Sequence, residues 1–244
     1  MTHNAIVTGG SRGLGLAIAS CLAQAGYRVI ATARAESAEL RSVIAALDGA
    51  AGSLHFRPFD LTNTRETAGF VSALREEFGP LYGLINNAGI GTGGVLATMA
   101  DAQIEKLAQI NMVAPIILSK YVLRKMMLER TGRIINISSI VSSTGFSGLS
   151  AYAATKAAMI GFTRSLAREV GQLGITVNAI APGFMDTEMT RELGEPQREQ
   201  IVRRSALRRI IDVDDVAAAV RFLLSEDAKN ITGVTLTVDA GSTA

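Results

Sequence analysis

Short apolar runs alternate with longer amphipathic stretches along this chain. The runs are Ala5–Thr8, Arg28–Thr32, Leu54–Arg57, Gly83–Asn86, Arg133–Ile137, Thr176–Ile180 and Thr235–Val238. Several are continuously apolar rather than alternating, as strands covered on both faces are. Between them, apolar residues recur at helical spacing over Leu14–Ala25, Ser37–Leu47, Asn63–Phe78, Asp101–Arg130, Ala151–Gly171 and Val213–Leu224. Strands alternating with helices predict βαβ units around a parallel sheet, an α/β fold. Asn63 with Glu66 reads as a capping box, and Asp212 precedes an acidic first turn. No repeat, low-complexity tract or Pro/Ser-rich linker interrupts the pattern, so one domain is expected over residues 1–244. Residues 184–211 break the rhythm: they are polar, carry Gly194 and Pro196, and follow the carboxyl end of a strand. Ligands bind at those ends in doubly wound sheets, which makes 184–211 a candidate substrate lid. A long surface loop with a short helix is the plainer alternative.

Composition narrows the picture. A chain of 244 residues, 48% of them apolar, suits a single α/β domain with a large core. No apolar run approaches the ~20 residues that cross a bilayer, and no secretory leader precedes the first strand, so a cytoplasmic protein is expected. Cys21 is the single cysteine, which excludes an internal disulfide and a Cys-rich metal site; its helical apolar setting reads as a buried thiol. His3 and His55 do not make a metal site. A net charge of +2 gives no argument for nucleic acid. Arg203, Arg204, Arg208 and Arg209 form the one basic excess, a solvated helix face or, less readily, a landing site for an anionic carrier or phosphate.

The first strand runs into Gly9, Ser11, Arg12, Gly13, Leu14 and Gly15. A tight strand-to-helix turn needs residues without Cβ, and a pyrophosphate can approach only where side chains are missing. The helix that follows points its free N–H groups and positive dipole end at the same place. An NAD-specific site carries an acidic residue at the end of the second strand; here Ala33 precedes Arg34, with no carboxylate. Two guanidiniums, Arg12 and Arg34, suit a 2′-phosphate, although Glu36 is near enough to pair with Arg34.

Tyr152 and Lys156 are four residues apart and share one helix face. A phenol titrates near 10, so it needs a neighbouring cation to act at neutral pH. A tyrosine so tuned can donate a proton to a carbonyl oxygen. Ser139, or its neighbour Ser138, follows a strand and can stabilise charge on that oxygen. Asn111 sits within a predicted helix, where asparagine is disfavoured; an exposed polar residue or a kink would explain it.

Taken together, Thr8-Gly9-x-x-x-Gly13-x-Gly15, Asn86-Asn87-Ala88-Gly89, Ser139 and Tyr152-x-x-x-Lys156 resemble the short-chain dehydrogenase/reductase family from Ala5 to Gly241. The resemblance implies a doubly wound Rossmann-type domain with seven parallel strands in the order 3-2-1-4-5-6-7. It implies NADP(H) as cofactor, with Arg12 and Arg34 at the 2′-phosphate. Asp60 and Leu61 would flank the adenine, and the backbone of Asn87, Ala88 and Gly89 would line its ribose. Pro182, Gly183, Met185 and the Thr187 hydroxyl would meet the nicotinamide carboxamide. The family's thirteen-residue spacing selects Ser139 over Ser138 as the partner of Tyr152. Lys156 would tune Tyr152 and bind the nicotinamide ribose, and Asn111 would be the fourth catalytic member, holding a water that leads protons to Lys156.

Two blocks, Tyr152–Val170 and Ile175–Met189, are most similar to bacterial 3-oxoacyl-[acyl-carrier-protein] reductases, which implies an acyl carrier protein or CoA thioester as partner. Gly91-Thr92-Gly93-Gly94 and Leu173 depart from those reductases, while Arg130 and Arg168 remain for a carrier. A dehydrogenase for another ketone, sugar or secondary alcohol would use the same machinery. A non-catalytic dinucleotide sensor is the reading of a different class, and four filled catalytic positions weigh against it. Ala153, Ala154, Ala157, Ala158 and Gly161 give the tyrosine helix small residues on most of its surface. In relatives that helix builds a subunit interface, which implies a homotetramer.

Overall fold

The structure is a computed structural model and describes residues 2–185 and 194–244. Its strands are β1 (Asn4–Thr8), β2 (Arg28–Ala33), β3 (Ser53–Pro58), β4 (Leu81–Asn86), β5 (Gly132–Ile137), β6 (Ile175–Pro182) and β7 (Thr235–Val238). All pair in parallel in one sheet of order β3-β2-β1-β4-β5-β6-β7. Each lies on an expected apolar run, extended by at most two residues at either end.

Alternate strand residues face opposite layers. Val7, Val29, Ala31 and Ile135 pack with Ile18 and Leu22 of α1 (Gly13–Gln24), Leu40 of α2 (Ala38–Ala46) and Val216 and Val220 of α9 (Val213–Leu224). Ile6, Ile30, Leu84 and Ile134 face the other way. They meet Val71 and Leu74 of α3 (Thr67–Phe78), Leu118 and Val122 of α5 (Ala114–Glu129) and Leu166 and Val170 of α7 (Ser150–Val170). The apolar runs are continuous because both faces are buried, each buried Ile or Leu contributing about 1.5–3 kcal/mol. The chain winds one way from β1 to β2 and β3, and the other way from β1 to β4. Between β1 and β4 lies the topological switch point, where such sheets open a crevice at their carboxyl ends.

Two expected elements differ. Asn63 and Glu66 do not form a capping box at the start of a helix. The Asp60 carboxylate accepts from the Thr62 N–H at 2.9 Å and hydroxyl at 2.8 Å, and the Asn63 N–H donates to the Asp60 carbonyl at 3.0 Å. Those turns consume the local polar groups, and α3 begins only at Thr67. The single helix expected over 101–130 is instead α4 (Asp101–Ala108), a π-helical turn (Gln109–Val113) and α5, ending at Arg130 with φ 52°. The π-turn falls on Asn111. The 184–211 segment contains α8 (Glu195–Arg204), and α6 (Val141–Thr144) follows β5; neither was expected as a separate element in the sequence pattern beyond a short helix in the long loop. Among the described residues, no helix is long and apolar enough to cross a membrane.

Candidate active site

Thr8 closes β1 and ties the glycine turn to the loop after β4. Its hydroxyl oxygen accepts the N–H groups of Asn87 and Ala88, each at 3.0 Å, while the Asn87 side chain donates to the Thr8 carbonyl at 2.9 Å. That proximity dictates glycine. A Cβ on Gly9, whose φ is +66°, would stand 3.0 Å from Ala88 Cα; one on Gly15 would stand 2.1 Å from the Gly9 carbonyl oxygen. Gly13 faces open space and is glycine for its φ of +53°. Arg12 is the N-cap of α1 and gives it no side-chain cap, and no acidic residue occupies the first turn. The positive end of α1 is thus shaped for an anion. The Ser37 hydroxyl donates to the Ser11 carbonyl and accepts from the Leu40 N–H at 3.0 Å, so the start of α2 braces the turn. Leu14 is partly buried, its side chain packed against the core.

At the end of β2, Arg34 is exposed, as is Arg12. The carboxylate of Glu36 pairs with Arg41 of α2 at 3.3 Å, in place of the pairing with Arg34 considered from sequence. Hydrogen bonds from Thr62, and then the charge of Arg34, hold the Asp60 carboxyl below the usual carboxylate range. Leu61 packs partly buried on the second core layer. A turn that excludes side chains, an uncapped helix start and a guanidinium beside the β2 exit fit a dinucleotide phosphate.

On the other side of the crevice, α7 and β5 meet. Ser138 and Ser139 diverge there. The Ser138 hydroxyl is buried and donates to the Lys156 carbonyl at 2.9 Å. The Ser139 hydroxyl instead accepts from the Val141 N–H at 3.4 Å and lies beside the Tyr152 phenol. The Lys156 ammonium donates to the Ile137 carbonyl at 2.9 Å and stands 5.8 Å from the centre of the Tyr152 ring. Burial lowers the Lys156 pKa to about 8. Burial also raises the phenol of Tyr152, and the neighbouring Ser139 hydroxyl offsets part of that rise. In the protein by itself the phenol is thus raised, because desolvation outweighs the effect of the Ser139 hydroxyl; the lowering expected from sequence counted an oxidised nicotinamide ring as well as the ammonium.

Asn111 explains the π-turn. Its Oδ1 accepts from the Ile90 N–H at 2.9 Å, and its Nδ2 donates to the Ile90 carbonyl at 2.9 Å and the Thr155 hydroxyl at 3.2 Å. Thr155 in turn donates to the Tyr152 carbonyl at 2.8 Å. An extra residue in the turn aims the amide inward, 2% exposed, where a regular helix would not place it. The role expected was holding a water; the contacts seen pull the loop after β4 onto the tyrosine helix. Gly89 completes this contact, since a Cβ there would lie 3.2 Å from Asn111 Oδ1 and 3.4 Å from Lys156 Nζ.

Sequence reasoning missed a second polar layer. Asn86 Nδ2 donates to Ser119 Oγ at 2.9 Å and Asn136 Oδ1 at 2.8 Å, and Asn136 Nδ2 donates to Thr163 Oγ1 at 2.8 Å. This buried ladder fixes β4, β5, α5 and α7 at one relative height. Its signal was an asparagine near the end of two apolar strands, Asn86 and Asn136, which the register places side by side.

Beyond β6, Gly183 lies against Asp239, so close that a Cβ would come within 2.7 Å of the Asp239 Cβ. Pro182 ends β6, and Met185 bridges to Ile211. Thr187 lies outside the described residues, as does part of the expected lid.

A side-chain-free turn and a hydroxyl–phenol–ammonium group, facing each other at the carboxyl edge of a parallel sheet, define a Rossmann-type oxidoreductase. Residues 3–198 match the family model described as short chain dehydrogenase. The 3-oxoacyl-[acyl-carrier-protein] reductase FabG of Vibrio cholerae serotype O1 is 42% identical over 237 residues, 97% of this chain and 96% of that protein. The FabG of Escherichia coli K12 is 43% identical over the same shares. A crystal structure of an Agrobacterium tumefaciens protein, provisionally named a gluconate dehydrogenase, superposes with a TM-score of 0.93 at 26% identity, covering 99% of this chain and 96% of that one. The chain belongs to the short-chain dehydrogenase family.

Proposed function

We propose that the protein reduces a 3-oxoacyl thioester to the 3-hydroxyacyl form with NADPH, Tyr152 serving as general acid. The observation that carries this reading is the Ser139 hydroxyl standing beside the Tyr152 phenol, with the buried Lys156 ammonium behind the ring. NADPH, when bound, supplies the hydride. Ser139 holds the substrate's carbonyl oxygen and stabilises charge on it. Tyr152 passes its phenolic proton to that oxygen. Lys156 favours the phenolate left behind and binds a ribose hydroxyl, while Asn111 keeps the Ile90 loop seated on the tyrosine helix.

Gly9, Ser11, Gly13, Leu14 and Gly15 would hold the pyrophosphate through main-chain groups. Arg12 and Arg34 would take the 2′-phosphate, Asp60 and Leu61 the adenine, and Asn87, Ala88 and Gly89 its ribose. Pro182, Gly183, Met185 and Thr187 would meet the carboxamide. Residues 184–211 would cover the acyl chain. The names of the Vibrio and Escherichia relatives support the thioester and its acyl carrier protein; a cytoplasmic homotetramer is proposed with it on the family resemblance alone. The Agrobacterium structure favours a second reading, a dehydrogenase for a sugar acid or other ketone.

The test follows loss of NADPH absorbance with acetoacetyl-carrier protein, with acetoacetyl-CoA and NADH as comparisons. Rapid NADPH turnover of the carrier thioester is expected. NADPH binding without turnover of either thioester would move the assignment to the second reading. Tyr152→Phe should abolish turnover and keep NADPH binding; a sensor would keep its function. Light scattering that gave a monomer would refute the tetramer.

A further inference from the structure

Two loops that leave the carboxyl edge of the sheet are tied to each other and to the tyrosine helix. The loop after β4 passes through Ile90, which Asn111 holds beside Thr155, and its Gly94 N–H donates to the Gly148 carbonyl at 2.9 Å. The loop after β5 runs directly into α7. There the Leu149 N–H donates to the Phe146 carbonyl at 3.1 Å, and the Ala153 N–H, next to Tyr152, donates to the Leu149 carbonyl at 2.7 Å. Gly145 and Gly148, at φ 69° and 81°, bend the chain before and after Phe146, where a residue with Cβ would be strained. The Phe184 ring, just past β6, meets Phe146 edge-on with centroids 5.9 Å apart.

What these loops show to solvent is apolar. Val95 is 65% exposed, Leu96 53% and Phe146 50%, and the Gly94–Gly148 bond brings the two loops to one rim. Large apolar side chains gathered beside a crevice mark a binding surface. No Asp, Glu, Lys or Arg occurs over residues 87–100 or 138–151. Several hydroxyls there are also turned inward. Thr98 donates to the Val95 carbonyl at 3.1 Å, Ser142 to the Ser139 carbonyl at 2.6 Å, and Ser143 and Thr144 to the Ile140 carbonyl at 3.1 and 3.0 Å. A carboxylate would meet no cation on this rim, and a row of substrate hydroxyls would give up water for few partners. A hydrocarbon chain gives up nothing there and gains by leaving water.

We propose that Val95, Leu96 and Phe146 form a subsite for the hydrocarbon chain of the substrate and so set its class: a ketone with a medium-length acyl chain, preferred over a four-carbon one and over a sugar acid. This rests on the reading that Tyr152 gives its proton to the carbonyl oxygen of a 3-oxoacyl thioester. With that oxygen at Tyr152, the chain beyond the carbonyl carbon lies across Phe146 toward Leu96. The three side chains touch neither the reacting atoms nor the glycine turn, so they act on affinity and chain-length preference rather than on the chemical step.

The experiment uses the full-length protein, Phe146→Ala, and a double variant of Val95→Ser with Leu96→Ser. Calorimetry with NADP+ present gives the affinities for decanoyl-CoA and butanoyl-CoA, which do not react. Kinetics give kcat and KM for 3-oxodecanoyl-CoA and acetoacetyl-CoA, and the rate of gluconate oxidation. Each CH2 taken fully out of water strengthens binding about fourfold, so even a rim that covers one side of the chain should favour decanoyl-CoA by ~30-fold or more. Phe146→Ala should cut that margin ~5–10-fold and the double variant ~3–5-fold. Both should leave butanoyl-CoA affinity and kcat for acetoacetyl-CoA within ~2-fold, the pattern of lost binding rather than lost chemistry. The replaced side chains are exposed, so both variants should melt as the parent does. Equal affinity of the parent for the two chains would overturn the proposal, as would a margin that both variants keep. Gluconate oxidised faster than either thioester is reduced would overturn it too. If the parent shows the margin yet reduces neither thioester, the functional reading fails while the subsite stands, because the binding comparison needs no turnover.

Discussion

Ser139 stands beside the Tyr152 phenol, whereas Ser138, one residue earlier, turns its hydroxyl onto the Lys156 carbonyl. Adjacent residues of one type thus face different ways, one beside the phenol and one inside the fold. Ser139→Ala should lower kcat/KM by ~10²–10³-fold with melting unchanged, as loss of an oxyanion-type donor does. Ser138→Ala should cost about 1 kcal/mol of stability, the worth of one buried hydrogen bond, with a much smaller effect on rate. Paired kinetics and urea melts check this, and equal rate losses in the two variants would contradict the division of labour.

Lys156 carries a stability cost that varies with pH. Its pKa is about 8 in the folded protein and close to 10.4 in an unfolded chain. Below pH 8 the ammonium is charged in both states, and burying it costs in full. Between these values the unfolded chain binds more protons, so stability rises with pH, and above both the cost is gone. Lys156→Met should therefore remove that rise. Without cofactor at pH 7 it should equal or exceed the parent by about 1–3 kcal/mol, as removal of a buried charge allows. Turnover should fall by at least ~10²-fold, the loss that follows when an acid–base group is no longer tuned. Urea melts of both proteins at pH 7 and pH 10 give the comparison; parallel pH slopes would refute it.

At the π-turn, Asn111→Ala should strand the Ile90 N–H and carbonyl and the Thr155 hydroxyl. The expected cost is about 2–3 kcal/mol, with kcat/KM reduced ~10–100-fold as the loop lifts from the tyrosine helix. Hydrogen exchange at the Ile90 amide is the direct readout, because that N–H donates to Asn111. An Ile90 amide as protected in the variant as in the parent would show that something else holds the loop.

Cofactor preference should follow the charge beside β2. With Glu36 engaged by Arg41, Arg34→Glu places an acidic group against a 2′-phosphate and should cut the NADPH/NADH ratio of kcat/KM by ~10²-fold, two lost charge-assisted bonds' worth. Ala33→Asp should act in the same direction by offering a ribose 2′-hydroxyl its acceptor. Ratios measured at low and moderate salt check it. An unchanged ratio would remove Arg34 from the phosphate site.

The sheet was legible because its strands are buried on both faces, and a short continuous apolar run such as Ile134–Ile135 or Val177 with its neighbours suits a doubly covered strand better than any half-exposed element. Ser139, Tyr152 and Lys156 were legible because a strand end and a helical four-residue spacing carry them to one place. What stayed hidden depends on contacts between distant segments. Nothing local to Asn111 announces a π-turn, since its cause is Ile90, 21 residues away. Asn63 and Glu66 had the letters of a capping box, but the Asp60 carboxylate captured Thr62 first. The Asn86–Asn136 ladder pairs residues 50 positions apart and needs the register of β4 on β5 before it can be seen. The rise that burial gives the Tyr152 phenol was not legible either, because desolvation is a property of the whole layer and not of any one neighbour.

The place of β1 in the middle of the sheet has a consequence for the chain as it leaves the ribosome. Thr8 finds its partner in Asn87 only 79 residues later; at ~5–20 residues per second this is roughly 4–16 s of synthesis. Throughout that interval the β4-facing edge of β1 is an unpaired row of N–H and carbonyl groups, open to another nascent chain. The glycine turn, which needs the Asn87 loop as its wall, has no finished shape until then. Early-stalled chains should therefore bind no dinucleotide and depend on chaperones, and the gain of binding during synthesis would time the moment when the two halves of the sheet join.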